Sequence, residues 1–194
     1  MENKIVNCNG IKISNKSKIC LIAGPCQLET EQHAMDMAGK IKEIASKNNI
    51  GFIYKTSFDK ANRTSIKGMR GAGLEKSLPI FDKIKKDLNI SILTDVHNEK
   101  QCSVVAPHVD VLQIPAFLCR QTDLLIAASK TNKIINVKKG QFLVQCGSMR
   151  IIMVGLTYIL FMNLVMESYL LIQVMDPSKN VLLLKLHPIL AQWV

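Results

Sequence analysis

The chain has 194 residues, a hydrophobic fraction of 48% and a formal net charge of +10, which describes one globular domain with room for a substantial core and a preference for anionic partners. Its lysines are scattered along amphipathic stretches such as KIKEIASKNN and FDKIKKDLN, with no arginine-rich run and no alternation of aromatic and basic residues, so nucleic acid is not expected as a partner. Cysteines at 8, 20, 26, 102, 119 and 146 form no C-x-x-C pair, and MENKIVNCNG lacks a charged-then-apolar leader, so reduced thiols in a cytoplasmic protein are expected.

The first predicted element is a short hairpin in KIVNCNGIKISN. Five apolar runs of strand length follow: KICLIAG, GFIYKTS, ISILTDVH, VDVLQIPAF and KIINVKK. Between them LETEQHAMDMAGKIKEIASKNN, GLEKSLPIFDKIKKDLN, NEKQCSVVAPH and CRQTDLLIAASKTN read as helices. The clearer ones have apolar residues three and four apart and an Asn, often behind Lys, at the stop. Strand and helix in alternation imply a parallel sheet with right-handed crossovers. The turn after the first strand of this series, AGPCQLE, lacks the G-x-G-x-x-G of an open dinucleotide-binding sheet, so a (β/α)8 barrel is preferred.

Barrel chemistry gathers at the C-terminal ends of the strands, and strand residues alternate between faces, so the inward series can be named by parity. Counting by twos gives Ile22, Gly24, Cys26; Ile53, Lys55, Ser57; Leu93, Asp95, His97; Val111, Gln113; and Ile134, Asn136, Lys138. Each series starts small or apolar and ends polar, as a polar mouth above an apolar interior requires.

Lys55 and Lys138, with Lys60 and Arg63 in the loop after the second run, can surround a multiply anionic small molecule. The alternative for the DKANR loop is ordinary solvated charge, but a lysine in an inward series is costly to bury without an anion. Asp95 and His97 share a face and suit proton handling, substrate orientation or a metal's surroundings. They suit a structural pair equally. Cys26, at the end of the first run, is a candidate ligand or nucleophile set against the usual inert buried thiol. His33 and His108 read as ordinary surface histidines. No H-E-x-x-H, Walker loop or Ser–His arrangement occurs, which removes the common hydrolase and nucleotide-triphosphatase readings.

IAGPC, FIYKTSFDKANRTS, RGAGLEKSLPIF, ILTDVHNEKQ, VDVLQIPAFLCRQTDLL and IINVKKGQF together resemble the successive motifs of the 3-deoxy-D-manno-octulosonate 8-phosphate (KDO-8-phosphate) synthase family, from the N-terminus to about Phe142. The related 3-deoxy-arabino-heptulosonate 7-phosphate synthases share a G-P-C strand end, but normally carry a K-P-R-T-type sequence where this chain has KTSFDKANR, and are the weaker match. The resemblance implies a (β/α)8 TIM barrel, a homotetramer, and condensation of phosphoenolpyruvate with arabinose 5-phosphate in lipopolysaccharide KDO biosynthesis. It implies that Lys55, Lys60, Gln113 and Lys138 line the phosphoenolpyruvate end and that Asn62, Arg63 and Thr64 hold the sugar phosphate. Asp95 and His97 would lie beside the reacting centre, with Lys60 the third candidate catalytic group, and Arg120 would reach into a neighbouring subunit's site. Cys26 places the chain in the metal-dependent branch, with Zn, Fe or Mn as the expected divalent metal.

Residues 143–194 carry no motif of that family. Beyond Arg150 the only charged residues are Glu167, Asp176, Lys179 and Lys185. Glu167, Asp176 and His187 have ligand-type side chains outside any matching context, and no role is assigned to them. The uncharged run from Ile151 to Met166 falls short of the roughly twenty residues of a spanning helix, so a membrane segment is not expected. The expectation is a barrel part over 1–142, about five βα units, followed by an aberrant apolar tail over 143–194 from truncation or a frameshift. On that view the chain is an inactive synthase. A non-catalytic fragment whose tail promotes aggregation or membrane association is the competing reading.

Overall fold

In a computed structural model, residues 5–14, 17–62 and 65–138 are described in full, together with the backbone of 151–154, 157–162 and 173–174. Asn9 and Gly10 both have positive φ, 47° and 89°, the backbone that a tight two-residue hairpin needs. They join β1 (Val6–Cys8) to β2 (Ile11–Ile13) as an antiparallel pair. The Asn7 side chain accepts a hydrogen bond from the Gly10 N–H at 2.9 Å, closing the turn.

The alternation then runs as the apolar periodicity predicts: β3 (Cys20–Ala23), α1 (Glu31–Lys47), β4 (Gly51–Lys55), α2 (Leu74–Leu88), β5 (Ser91–Asp95), α3 (Glu99–Val105), β6 (Val111–Ile114), a 3-10 turn at Ala116–Leu118, α4 (Thr122–Ser129) and β7 (Ile134–Lys138). The five strands β3 to β7 lie side by side in chain order, all parallel. Thr30 and Asn98 cap α1 and α3 through their side chains. Asn49, Asn89 and Asn132 take the left-handed conformation just past α1, α2 and α4, which is why an Asn stands at each stop.

Two apolar clusters divide along the strand parity. Tyr54, Ile92, Leu112, Ile114, Ile135 and Val137 face outward and pack on the helices, including Ala34, Ala38, Ile41 and Ala45 of α1 and Ile80, Phe81 and Ile84 of α2. Ile22, Ile53, Leu93 and Val111 form the inner cluster with Val6, Cys8, Ile13 and Cys20. The hairpin therefore plugs the end of the barrel interior where the strands begin. Asn9 donates to the Ser91 hydroxyl at 3.0 Å, and Ile11 stands so close over Gly51 that a Cβ there would lie 2.8 Å from its Cγ2.

The sheet continues past β7. β9 (Thr157–Met162) pairs parallel with β7, β8 (Ile151–Val154) pairs antiparallel with β9, and β10 (Gln173–Val174) pairs antiparallel with β3, giving the order β10-β3-β4-β5-β6-β7-β9-β8. Pairing of this segment with the fifth parallel strand was not legible in its spacing. The rest of the predicted tail, including Glu167, Asp176 and His187, lies outside the described residues. Among the described residues, four βα units and a fifth parallel strand form a partial (β/α) barrel, and no helix is long and apolar enough to cross a membrane.

Candidate active site

The inward series meet where the strands end. Register places Asp95 of β5 beside Gln113 of β6, and Gln113 beside Asn136 of β7. Lys55, Ser57, Asp95, Gln113 and Asn136 are all buried. Lys55 Nζ lies 3.1 Å from Asp95 Oδ2 and donates to Ser57 Oγ at 2.9 Å, and the Ser57 hydroxyl in turn donates to Asp95 Oδ2. Gln113 Nε2 donates to Asp95 Oδ1 at 2.5 Å, and Asn136 Nδ2 donates to Gln113 Oε1 at 2.7 Å. Burial alone would push the Asp95 carboxyl upward. The Lys55 and Lys138 charges and the hydrogen bonds from Gln113 and Ser57 outweigh it and hold Asp95 below the usual carboxylate range.

Lys138, two residues beyond Asn136, is partly buried. Desolvation lowers its pKa, opposed by attraction to Asp95, reinforced by repulsion from Lys55 and opposed again by nearby Cys26. Among the described residues, one buried carboxylate thus faces two lysines.

Loop contacts fix the rim. Leu28 N–H donates to Ser57 O at 2.8 Å, tying the segment that bears Cys26 to the end of β4, and Ala72 and Gly73 N–H donate back to Leu28 O and Phe58 O. Gly24 is required here, since a Cβ would lie 2.0 Å from the Lys55 carbonyl oxygen. Lys60 N–H donates to Arg70 O at 2.7 Å, and the Arg70 guanidinium pairs with Asp59 through both carboxylate oxygens, so the charged loop leaves the barrel on a braced stem. His97 is placed by the start of α3: its N–H donates to Gln101 Oε1 at 2.7 Å, while the Gln101 N–H is held by Asn98. Its ring meets Phe58 edge-on and its buried Nδ1 has no protein partner among the described residues.

A family model described as "DAHP synthetase I family" matches residues 2–163, most of the chain. The chain belongs to the DAHP synthetase I family. Within it, the chain is 59% identical over 141 residues to the "2-dehydro-3-deoxyphosphooctonate aldolase" of Mesorhizobium japonicum, covering 73% of this chain and 51% of that protein. It is 60% identical over the same length to the protein of that name from Brucella ovis, again 73% and 51%, and 64% identical over 130 residues to that of Chelativorans sp., 67% and 47%. The chain spans about half the length of these curated relatives. The heptulosonate-type reading has only the family-level likeness, whereas the octulosonate-type name comes with the high identities.

Of the residues that sequence singles out, this DAHP synthetase I family chain brings Lys55, Asp95, Gln113 and Lys138 together. Cys26 lies near Lys138, and His97 lies two residues past Asp95, the last residue of β5. Lys60 is half-buried on the loop stem, and Asn62 and Arg120 are exposed. Arg63 and Thr64 lie outside the described residues. Ser57 and Asn136 join the network without having been named as site residues. The signal was present, since both stand in the polar half of an inward series. His33 is half-buried, and its Nδ1 is buried without a partner among the described residues. His108 is also half-buried, with its Nδ1 2.8 Å from Asp82 Oδ2.

Among the described residues no three His, Cys, Asp or Glu side chains come together to hold a metal. Cys26 is half-buried with a free thiol, and its chemistry fits one soft-metal ligand. Cys20 differs: burial, then the neighbouring Cys8, pushes its thiol up to about 12, which makes it core filling.

Proposed function

We propose that this chain forms the phosphoenolpyruvate-binding half of a synthase that condenses phosphoenolpyruvate with arabinose 5-phosphate to 3-deoxy-D-manno-octulosonate 8-phosphate, in KDO biosynthesis. The observation that carries this reading is the buried cationic mouth, in which Lys55 and Lys138 face one carboxylate, Asp95, among the described residues. The curated relatives' name supports the octulosonate product. In the balanced reaction the methylene carbon of phosphoenolpyruvate bonds to the aldehyde carbon of the sugar, whose oxygen takes a proton to become a hydroxyl, while water adds its oxygen to the neighbouring carbon, the C–O bond there to the phosphate breaks, and inorganic phosphate leaves.

Lys55, Lys60 and Lys138 supply positive charge to the phosphate and carboxylate of one ligand, and Arg63 with Asn62 and Thr64 takes the sugar phosphate. Asp95 is an ionised acceptor, suited to orienting a water or hydroxyl, and His97 Nδ1 offers a ring nitrogen free of other partners among the described residues. Arg120 completes the site of a neighbouring copy in a homotetramer. Cys26 would supply a thiolate to a divalent metal, Zn, Fe or Mn. Bound there, the metal would act as a Lewis acid toward a substrate oxygen.

Calorimetric titration of the chain with phosphoenolpyruvate tests the proposal. Saturable binding that Lys138→Met abolishes is expected, and no binding by a folded chain overturns it. Adding arabinose 5-phosphate and metal then extends the test: phosphate release assigns the whole reaction, and binding without release assigns the cradle alone. Zinc titration of the wild type and of Cys26→Ser reads the metal proposal, with weaker binding expected in the variant and equal binding against it.

A further inference from the structure

The hydrogen bonds around Asp95 all run one way. An ionised carboxylate can only accept, so Gln113 must turn its Nε2 to Asp95 Oδ1, at 2.5 Å, and its Oε1 away. That Oε1 is buried and needs a donor, which Asn136 Nδ2 provides at 2.7 Å from the next strand. On the other side Lys55 donates to Ser57 Oγ, which leaves the hydroxyl hydrogen for Asp95. Asn136 is completely buried and its Oδ1 has no partner among the described residues, so nothing else described fixes its amide.

We propose that Asn136 is a positioning residue. Its amide locks the Gln113 amide with the N–H side toward Asp95 and the mouth, so that Gln113 presents donors both to the carboxylate and to an anionic ligand. With Gln113 turned over, a carbonyl oxygen would face Asp95 and the ligand alike, and three acceptors would meet in a buried site. The proposal rests on the reading of this mouth as the phosphoenolpyruvate site for its effect on affinity. Its geometric part stands on the hydrogen bonds alone.

The test is Asn136→Leu in the full chain, which keeps the volume and removes the amide. Phosphoenolpyruvate affinity is expected to fall about three- to tenfold, the size of one neutral hydrogen bond. The 13C signal of the Asp95 carboxyl, assigned with Asp95→Asn, is expected to titrate at higher pH than in the wild type. Lys55 and Lys138 face that carboxyl in both proteins, with Cys26 beside Lys138 and His97 two residues past the end of β5, so the shift isolates the amide. Unchanged affinity and an unchanged carboxyl titration overturn the proposal. If the variant does not fold, wild-type hydrogen exchange decides. One side-chain amide hydrogen each of Gln113 and Asn136 should be protected, and a freely exchanging Asn136 amide overturns the lock. If the wild type binds no phosphoenolpyruvate, the reading of the mouth falls, and the carboxyl and amide signals still decide the role of Asn136.

Discussion

Lys138 and Asp95 sit in one mouth with opposite pH signatures. Asp95 is held below the ordinary carboxylate range, so its stabilising contribution is present above the unfolded value of about 3.9 and is lost as pH falls through the lower folded value. Lys138 has a lowered folded pKa, chiefly from desolvation. The unfolded state then holds more protons between the two Lys138 values, and stability rises with pH across that window. In the unliganded chain Lys138 is a cost that an anionic ligand removes. Lys138→Met should therefore raise the thermal midpoint at neutral pH while destroying phosphoenolpyruvate binding; a lowered midpoint would show that attraction to Asp95 outweighs desolvation. Lys55→Met should instead lower the midpoint and cost about 3–5 kcal/mol in urea unfolding, since it strips a buried carboxylate of its closest cation. Arg63→Ala should leave phosphoenolpyruvate affinity alone and weaken arabinose 5-phosphate by about 1.5–3 kcal/mol in calorimetry, the worth of charge-assisted contacts.

At the scale of elements, the hairpin acts as a plug for the barrel interior. Ile11 overhangs Gly51, the first residue of β4, and Val6, Cys8 and Ile13 fill the space beneath Ile22, Ile53, Leu93 and Val111. Gly51→Ala places a Cβ against the Ile11 side chain and is expected to destabilise by about 1–3 kcal/mol, as overpacking does. Ile11→Ala leaves a cavity, and the double variant should cost less than the sum of the single ones, because each change relieves the other. Strict additivity in denaturant unfolding would place the hairpin elsewhere. The hairpin turn, the five strands and the helix stops were legible because each has a local cause: Asn-Gly at the turn, alternating burial in strands, and left-handed Asn after three helices. The plug itself was not, since nothing in VNCNGIKI says which end of a barrel it closes.

For the whole molecule, the parity series foretold the lining of the mouth but not its internal order. Lys55, Asp95, Gln113 and Lys138 could be named because they are polar at inward positions, while the roles of Ser57 and Asn136 emerge only when four strands, β4 to β7, are set in register. Hydrogen-bond direction is a relation between strands, and no single segment contains it. The pairing of β9 with β7 escaped for a related reason: an almost uncharged segment has no polar face to fix its register.

The charge of the whole chain and the charge of the mouth can be separated by salt. The scattered exposed lysines contribute a long-range attraction that ions screen within about 10 Å at 0.1 M, whereas Lys55 and Lys138 act at contact and are screened much less. Phosphoenolpyruvate at about 100 times its dissociation constant should stabilise the chain by about 2.7 kcal/mol, visible as a rise in the thermal midpoint. Raising salt at that fixed ligand concentration should reduce the rise only in part, because the remote attraction fades while the buried contacts persist. Inorganic sulfate, which has charge but no carboxylate to meet a second lysine, should give a smaller rise that high salt removes. A phosphoenolpyruvate effect that vanishes with salt as completely as that of sulfate would assign the binding to the surface lysines and take the anion out of the mouth.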